Sequence, residues 1–144
     1  MRLGFYSEVA RRNIVRARAF IAAHGYGSSA DEIRKCRQAL IELDKAEDLG
    51  TTLKASDFFS TSACRDLLFH VQEHRMTLTG IDAFLREARL VFMGFDIGAD
   101  VLQAYRRRFP ADPAASDLLQ WQVFENENPD IFIGMYQFWI HKPA

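Results

Sequence analysis

Residues 2–7 read RLGFYS. Leu3 and Phe5 alternate with Arg2 and Gly4, the period-two pattern that places one apolar row on one face of a strand. Ser7 then offers a hydroxyl suited to the N-terminus of a helix. The stretch therefore predicts a strand that feeds directly into a helix. At the head of the chain this strand has no preceding segment to pair its second edge, so it reads as the interior strand of a larger sheet.

Outward from that strand the sequence is mostly helical. From Glu8 to about His24, Ala10, Ile14, Ala17 and Ile21 recur at helical spacing, and Gly25 and Gly27 supply the stop. Ser29 and Glu32 have capping-box spacing ahead of a second stripe, Ile33, Cys36, Leu40 and Leu43, which ends before Gly50. Thr51–Thr61 is less periodic, and Ser60–Phe69 predicts a short helix behind a choice of hydroxyl caps. Thr77 is suited to cap a helix carrying Ile81, Phe84, Leu85 and Ala88. LVFMGF (90–95) has the length and content of a buried strand. Val101, Leu102, Tyr105 and Phe109 mark another helix closed by Pro110, and Ser116 opens one through Trp121 and Phe124. Pro129 starts a helical turn ended by Gly134, which leaves YQFWIH (136–141) as the last strand.

The chain has 144 residues, 49% of them apolar, enough for one core. Its net charge of −1 gives no field for wrapping nucleic acid or an anionic membrane. No apolar run approaches the roughly 20 residues that span a bilayer. Cys36 and Cys64 fall in helical segments without a C-x-x-C or a secretory leader, so they read as free thiols of a reducing cytoplasm. The arginines at 11, 12, 16, 18, 34 and 37, with Lys35, spread around two helices and read as solvated faces and ion pairs. Arg106–Arg108 complement the dipole at a helix C-terminus.

Residues 70–78, HVQEHRMTL, contain the one catalytic-looking motif. His70, Glu73 and His74 spell H-x-x-E-H, in which two histidines on one helix bind zinc and the glutamate activates its water. That reading requires a helix running through residue 74 and a third ligand, for which Glu87, Glu125 and Glu127 are nominal choices.

In order along the chain, MRLGFYSEVARR, IRKCRQAL, SACRDLLFHVQEHRMTL, RLVFMGFDI, YRRRFPADPAASDLLQW and FENENPDIFIGMYQFWIHKP resemble the C-terminal half of a bacterial family of class I S-adenosylmethionine-dependent methyltransferases, often joined to tetratricopeptide repeats. The resemblance covers essentially the whole chain. It implies a helix-rich α/β architecture, the C-terminal part of a Rossmann-like fold. About three strands lie in a mixed sheet of order 5-7-6: residues 1–7 form strand five, 90–95 strand six, and 136–141 an antiparallel strand seven between them. Residues 1–144 are then one incomplete domain, with a multi-helix insertion over 8–76 followed by helix, strand six, helices and strand seven over 77–144.

What the resemblance leaves out is as informative. The family's cofactor site uses a Gly-rich turn after strand one, an acidic residue after strand two and residues after strand four, and none of these is present. The chain therefore reads as a truncated methyltransferase, by gene decay, a mistaken start codon or design, that binds no S-adenosylmethionine alone. Ligands of open α/β sheets bind beyond the carboxyl ends of the strands, so Tyr6, Glu8, His70, Glu73 and His74 are the candidate acceptor-pocket residues. A glutamate or histidine there is suited to remove a proton from an attacking oxygen or nitrogen. The expected partner is the missing N-terminal half, or a second copy joined through the strand-five edge, with no nucleic acid and no membrane. Two other readings stand beside this one: a non-enzymatic helical interaction module and, through His70, Glu73 and His74, a zinc hydrolase.

Overall fold

Tyr136, Phe138 and Ile140 alternate with Gln137, Trp139 and His141, and the alternation divides the two sides of a sheet. In the computed structural model, which describes residues 1–47, 56–69 and 73–144, the first three are buried. This strand, β4 (Tyr136–His141), lies between β1 (Arg2–Ser7) and β3 (Val91–Phe95) and runs antiparallel to both. The expected central place of the last strand is thus observed. Leu3 faces Phe138 and Phe5 faces Tyr136 across the first pair, so both apolar residues of β1 share the buried face.

Among the described residues the sheet has four strands, not three, in the order β2-β1-β4-β3. The additional β2 is only Arg75–Met76, parallel to β1 at Tyr6 and Ser7. Two residues carry no readable periodicity, and β2 exists because Tyr6 N–H donates to the His74 carbonyl (3.3 Å) and Glu8 N–H to that of Met76 (3.1 Å).

By contact density the chain divides into two compact units, Met1–Arg11 with His74–Ala144, and Arg12–Glu73. The first holds the sheet and α5 (Leu78–Glu87), α6 (Ala99–Arg108) and α7 (Leu118–Glu127). Leu78, Ile81 and Leu85 of α5 and Leu118, Trp121 and Phe124 of α7 close over the buried sheet face. Tyr105 stacks on Trp121 with centroids 3.9 Å apart, and Trp121 Nε1 donates to the Ala115 carbonyl at 2.9 Å, so the large rings are packed and their polar atom satisfied. Thr77 caps α5 as expected, its hydroxyl accepting from Gly80 N–H at 3.0 Å. The cap of α7 is Asp117 rather than Ser116. The Asp117 carboxylate accepts from Leu119 and Gln120 N–H, whereas Ser116 is bonded to Asp112.

The second unit comprises α1 (Arg12–His24), α2 (Ala30–Glu47), α3 (Ser56–Phe59) and α4 (Thr61–Cys64), which continues as a π-helical turn over Arg65–Phe69. Its core is the expected pair of stripes, Ile14, Ala17 and Ile21 against Ile33, Cys36 and Leu40, completed by Phe58, Cys64 and Leu68. Helix α1 begins at Arg12 and not at Glu8. The Ser7 hydroxyl and carbonyl take the N–H groups of Ala10 and Arg11 and close a separate turn first. Cys36 and Cys64 are both free and buried, and burial, with Cys64 alongside, pushes the Cys36 thiol up to about 11. The expected end of the second helix before Gly50 and residues 51–55 of the less periodic Thr51–Thr61 stretch lie outside the described residues. No helix among the described residues is long and apolar enough to cross a membrane.

A bulge between Phe92 and Gly94 sets the far edge of the sheet. In a regular strand Phe92 and Phe95, three positions apart, point to opposite faces. The extra residue restores the phase, so both rings reach Phe138, at 5.8 and 6.0 Å. Gly94 has φ of +136°, where side chains are strained, although nothing lies within 4 Å of an added Cβ. Gly94→Ala is therefore expected to destabilise the sheet unit by about 1–3 kcal/mol through backbone strain alone, measured by urea denaturation; an unchanged midpoint would show that the bulge needs no glycine.

Candidate functional site

Strands β1 and β2 are parallel, so both end on the same edge of the sheet. The two backbone hydrogen bonds that create β2 set Glu8 at its carboxyl end and His74, the residue before Arg75, at its amino end, with Tyr6 between them. Glu8 and His74 are exposed. Tyr6 is half-buried, and the Arg11 guanidinium lies 4.2 Å from its ring centroid, a cation–π arrangement that fixes the ring. These three of the five expected pocket residues are brought together.

Glu73 belongs to the helical unit, where its carboxylate meets Arg18 at 3.0 Å with both side chains largely shielded from water. Arg18 also donates to the Leu67 carbonyl at 2.8 Å, so one guanidinium ties the π-helical turn to Glu73. His70 lies outside the described residues. The zinc pattern needs residues 70–74 on one helix, yet Glu73 and His74 are not helical and Arg75 enters β2. Of the nominal third ligands, Glu127 is committed to Arg108 at 2.9 and 3.1 Å, and Glu125 is buried in a different network. Among the described residues no group of three or more His, Cys, Asp or Glu is placed to hold a metal ion.

Directly beneath the open edge lies a polar cluster that the sequence reading missed. Glu125 of α7 is fully buried, with Ser7 of β1 and Tyr136 of β4 beside it. Its carboxyl accepts from the Ser7 hydroxyl on one oxygen and from the Tyr136 hydroxyl (2.7 Å) on the other, while Gln122 Nε2 approaches at 3.4 Å. The Ser7 oxygen in turn accepts from Ala10 N–H at 2.9 Å. Gln122 carries the connection onward, its carbonyl oxygen accepting from Leu78 N–H at 2.8 Å at the start of α5. One signal was available: Leu118, Trp121 and Glu125 occupy positions i, i+3 and i+7, so a glutamate stands on the apolar stripe of its helix.

Burial pushes the Glu125 carboxyl above the ordinary glutamate range, against the lowering effect of its three hydrogen bonds. Burial also raises the Tyr136 hydroxyl, and Glu125 and the nearby charge of Glu8 add to the shift. Tyr136 therefore stays protonated as a donor. The cluster is sealed, so it does not itself meet a ligand; it fixes the strand end from which Tyr6 and Glu8 project.

No protein-family model matches the chain, and no curated protein matches it.

The cluster makes stability depend on pH in a defined direction. Because the folded-state pKa of Glu125 lies above its unfolded value, its contribution is complete below the ordinary glutamate pKa and is lost as pH rises through the raised value. Urea unfolding across that interval is expected to show wild type losing stability relative to Glu125→Gln as pH increases. Two parallel pH profiles would rule out a raised pKa. Glu125→Ala, which leaves two buried hydroxyls without their acceptor, is expected to cost about 2–3 kcal/mol.

Proposed function

We propose that this chain is the C-terminal portion of an S-adenosylmethionine-dependent methyltransferase, supplying the sheet edge and part of the cover of the acceptor pocket. The observation that carries the reading is the strand pattern: β1 and β3 both run antiparallel to β4, which lies between them although it is last in sequence. A late strand inserted in reverse between two mutually parallel ones is uncommon in open α/β sheets and is what the resemblance implies for strands five, seven and six.

On this reading the acceptor sits above the carboxyl ends of β1 and β2, against Tyr6, with Glu8 taking the proton of the attacking oxygen or nitrogen; His74, at the amino end of β2, is the further candidate. The sulfonium supplies the methyl group, and catalysis rests on positioning and exclusion of water rather than on a nucleophile of the protein. The cofactor would be held by the preceding half of the domain, for which this chain has no Gly-rich turn.

A second reading, a non-enzymatic module that recruits a partner, is favoured by one feature. The sheet face opposite α5 and α7 exposes Val91, Met93 and Trp139, the last 51% accessible.

Calorimetry with S-adenosylmethionine separates the possibilities. Residues 1–144 alone are expected to show no specific binding, and a product extended by the sequence encoded ahead of Met1 in its genomic setting is expected to bind. Micromolar binding by residues 1–144, about 8 kcal/mol, would move the cofactor site into this chain. An upstream sequence without a Gly-rich strand-to-helix turn, together with no binding by the extended product, would overturn the methyltransferase reading and leave the interaction module.

A further inference from the structure

Cys36 and Cys64 are the two cysteines of the chain, and although 28 positions separate them in sequence both end in one core. Cys36 lies on α2 between Ile33 and Leu40, and Cys64 is the last residue of α4. The two helices pack side by side, and both thiols are wholly shielded from water. A single buried thiol fills space as a small apolar side chain and calls for no further account. Two that meet across adjacent helices are also the halves of a disulfide.

Their surroundings make the two sulfurs unequal. Arg37 donates to the carbonyls of Phe58 and Phe59, at 3.3 and 2.6 Å, which holds a positive charge beside the segment leading into α4. Burial raises the Cys64 thiol, and the Arg37 charge opposes that rise. A nearby cation favours the thiolate, the form that attacks a disulfide, so Cys64 is the sulfur suited to attack first. Cys36 is held high by burial and by Cys64 itself, and the second of these causes disappears once Cys64 is bonded to another sulfur.

A reagent reaches this pair only when its cover opens, and the cover is short. Helices α3 and α4 have four residues each, and Cys64 passes directly into the π-helical turn. Helices of one turn have almost no hydrogen-bond ladder of their own. Phe58 in the core and the Arg37 hydrogen bonds hold the segment instead. It therefore opens at lower cost than the long helices α1 and α2.

We infer that Cys36 and Cys64 are a reversible redox pair, oxidised to a disulfide between α2 and α4 by a low-molecular-weight disulfide such as oxidised glutathione. Cys64, its proton lost to water, attacks one sulfur of the reagent; the reagent's S–S bond breaks and one thiolate leaves with the electron pair. Cys36 then loses its proton and attacks Cys64 Sγ, and the second thiolate leaves. Two protein thiols are oxidised to one disulfide, the reagent is reduced to two thiols, and the two protons released by the protein end on them. The pair uses no residue of the candidate pocket and stands whether or not the chain is part of a methyltransferase.

Oxidised glutathione added to the folded chain, with remaining thiols counted by alkylation and intact mass, tests it. Wild type is expected to lose both thiols together, to stay monomeric on a non-reducing gel and to yield a peptide joining residues 36 and 64. Its Tm is expected to rise on oxidation and to return with dithiothreitol, because the bond restricts the unfolded chain. The rate is expected to level off as reagent concentration increases, since opening of α3 and α4 limits it. Cys36→Ala is expected to collect the glutathione adduct on Cys64 faster than Cys64→Ala collects it on Cys36. Thiols that survive in the folded chain at a reagent concentration that oxidises the urea-unfolded chain would overturn the proposal, as would linked dimers or a lower Tm after oxidation. A rate that keeps rising with reagent concentration would overturn the opening step, and a faster adduct at Cys36 the order of attack.

Discussion

The carboxyl of Glu125 is the contact on which the sheet unit depends. It joins three elements remote in sequence, the end of β1 at Ser7, the start of β4 at Tyr136 and helix α7, and Gln122 extends the same network to the start of α5. A carboxyl group in a dry interior is costly unless its oxygens are hydrogen-bonded, and here both are. The cost of breaking such a network also gives it directional value: apolar packing tolerates sliding, whereas two hydroxyls aimed at two oxygens hold one register. Register matters for this sheet because a one-residue slip of β4 against β1 would turn Phe138 and Tyr136 out of the core.

From that fixed point the open edge follows. Tyr6 and Glu8 flank Ser7 in sequence, so anchoring Ser7 in the interior directs its neighbours outward, toward the edge shared with His74. A buried anchor next to exposed polar groups is the arrangement a binding edge requires: rigid backbone below, accessible side chains above. The bulge at Met93–Gly94 plays the corresponding part at the opposite border, where it brings Phe92 and Phe95 onto one face and closes the aromatic core around Phe138.

Local sequence signals were faithful where a pattern ran for several turns. The stripes Ile14, Ala17, Ile21 and Ile33, Cys36, Leu40 are buried as read, Thr77 caps its helix, the strand read at 136–141 matches β4, and the strand read at 2–6 extends one residue further, to Ser7. Short or competing signals were misleading. Ser116 and Asp117 are both good caps, and the choice fell to Asp117 because Asp112, seven positions after the buried Tyr105 whose hydroxyl it accepts, had already engaged Ser116. Strand β2 left no pattern because two residues cannot show one. Within the candidate site, Tyr6, Glu8 and His74 were legible as polar groups near a strand end, while Glu73 belonged to an ion pair with Arg18, fifty-five positions away.

By itself, the sequence determined the helix-rich α/β character, the buried rows and most of the caps, because these follow from side-chain period and from hydrogen bonds between residues a few positions apart. Tertiary structure alone decided which edge β2 would cover, that Glu125 would be a buried acceptor instead of a surface carboxylate, and that Phe92 and Phe95 would share a face. Each of those outcomes is a contact between segments far apart in the chain. The energy that selects it, a satisfied buried hydrogen bond or a ring in a closed core, appears only once both partners have been brought together.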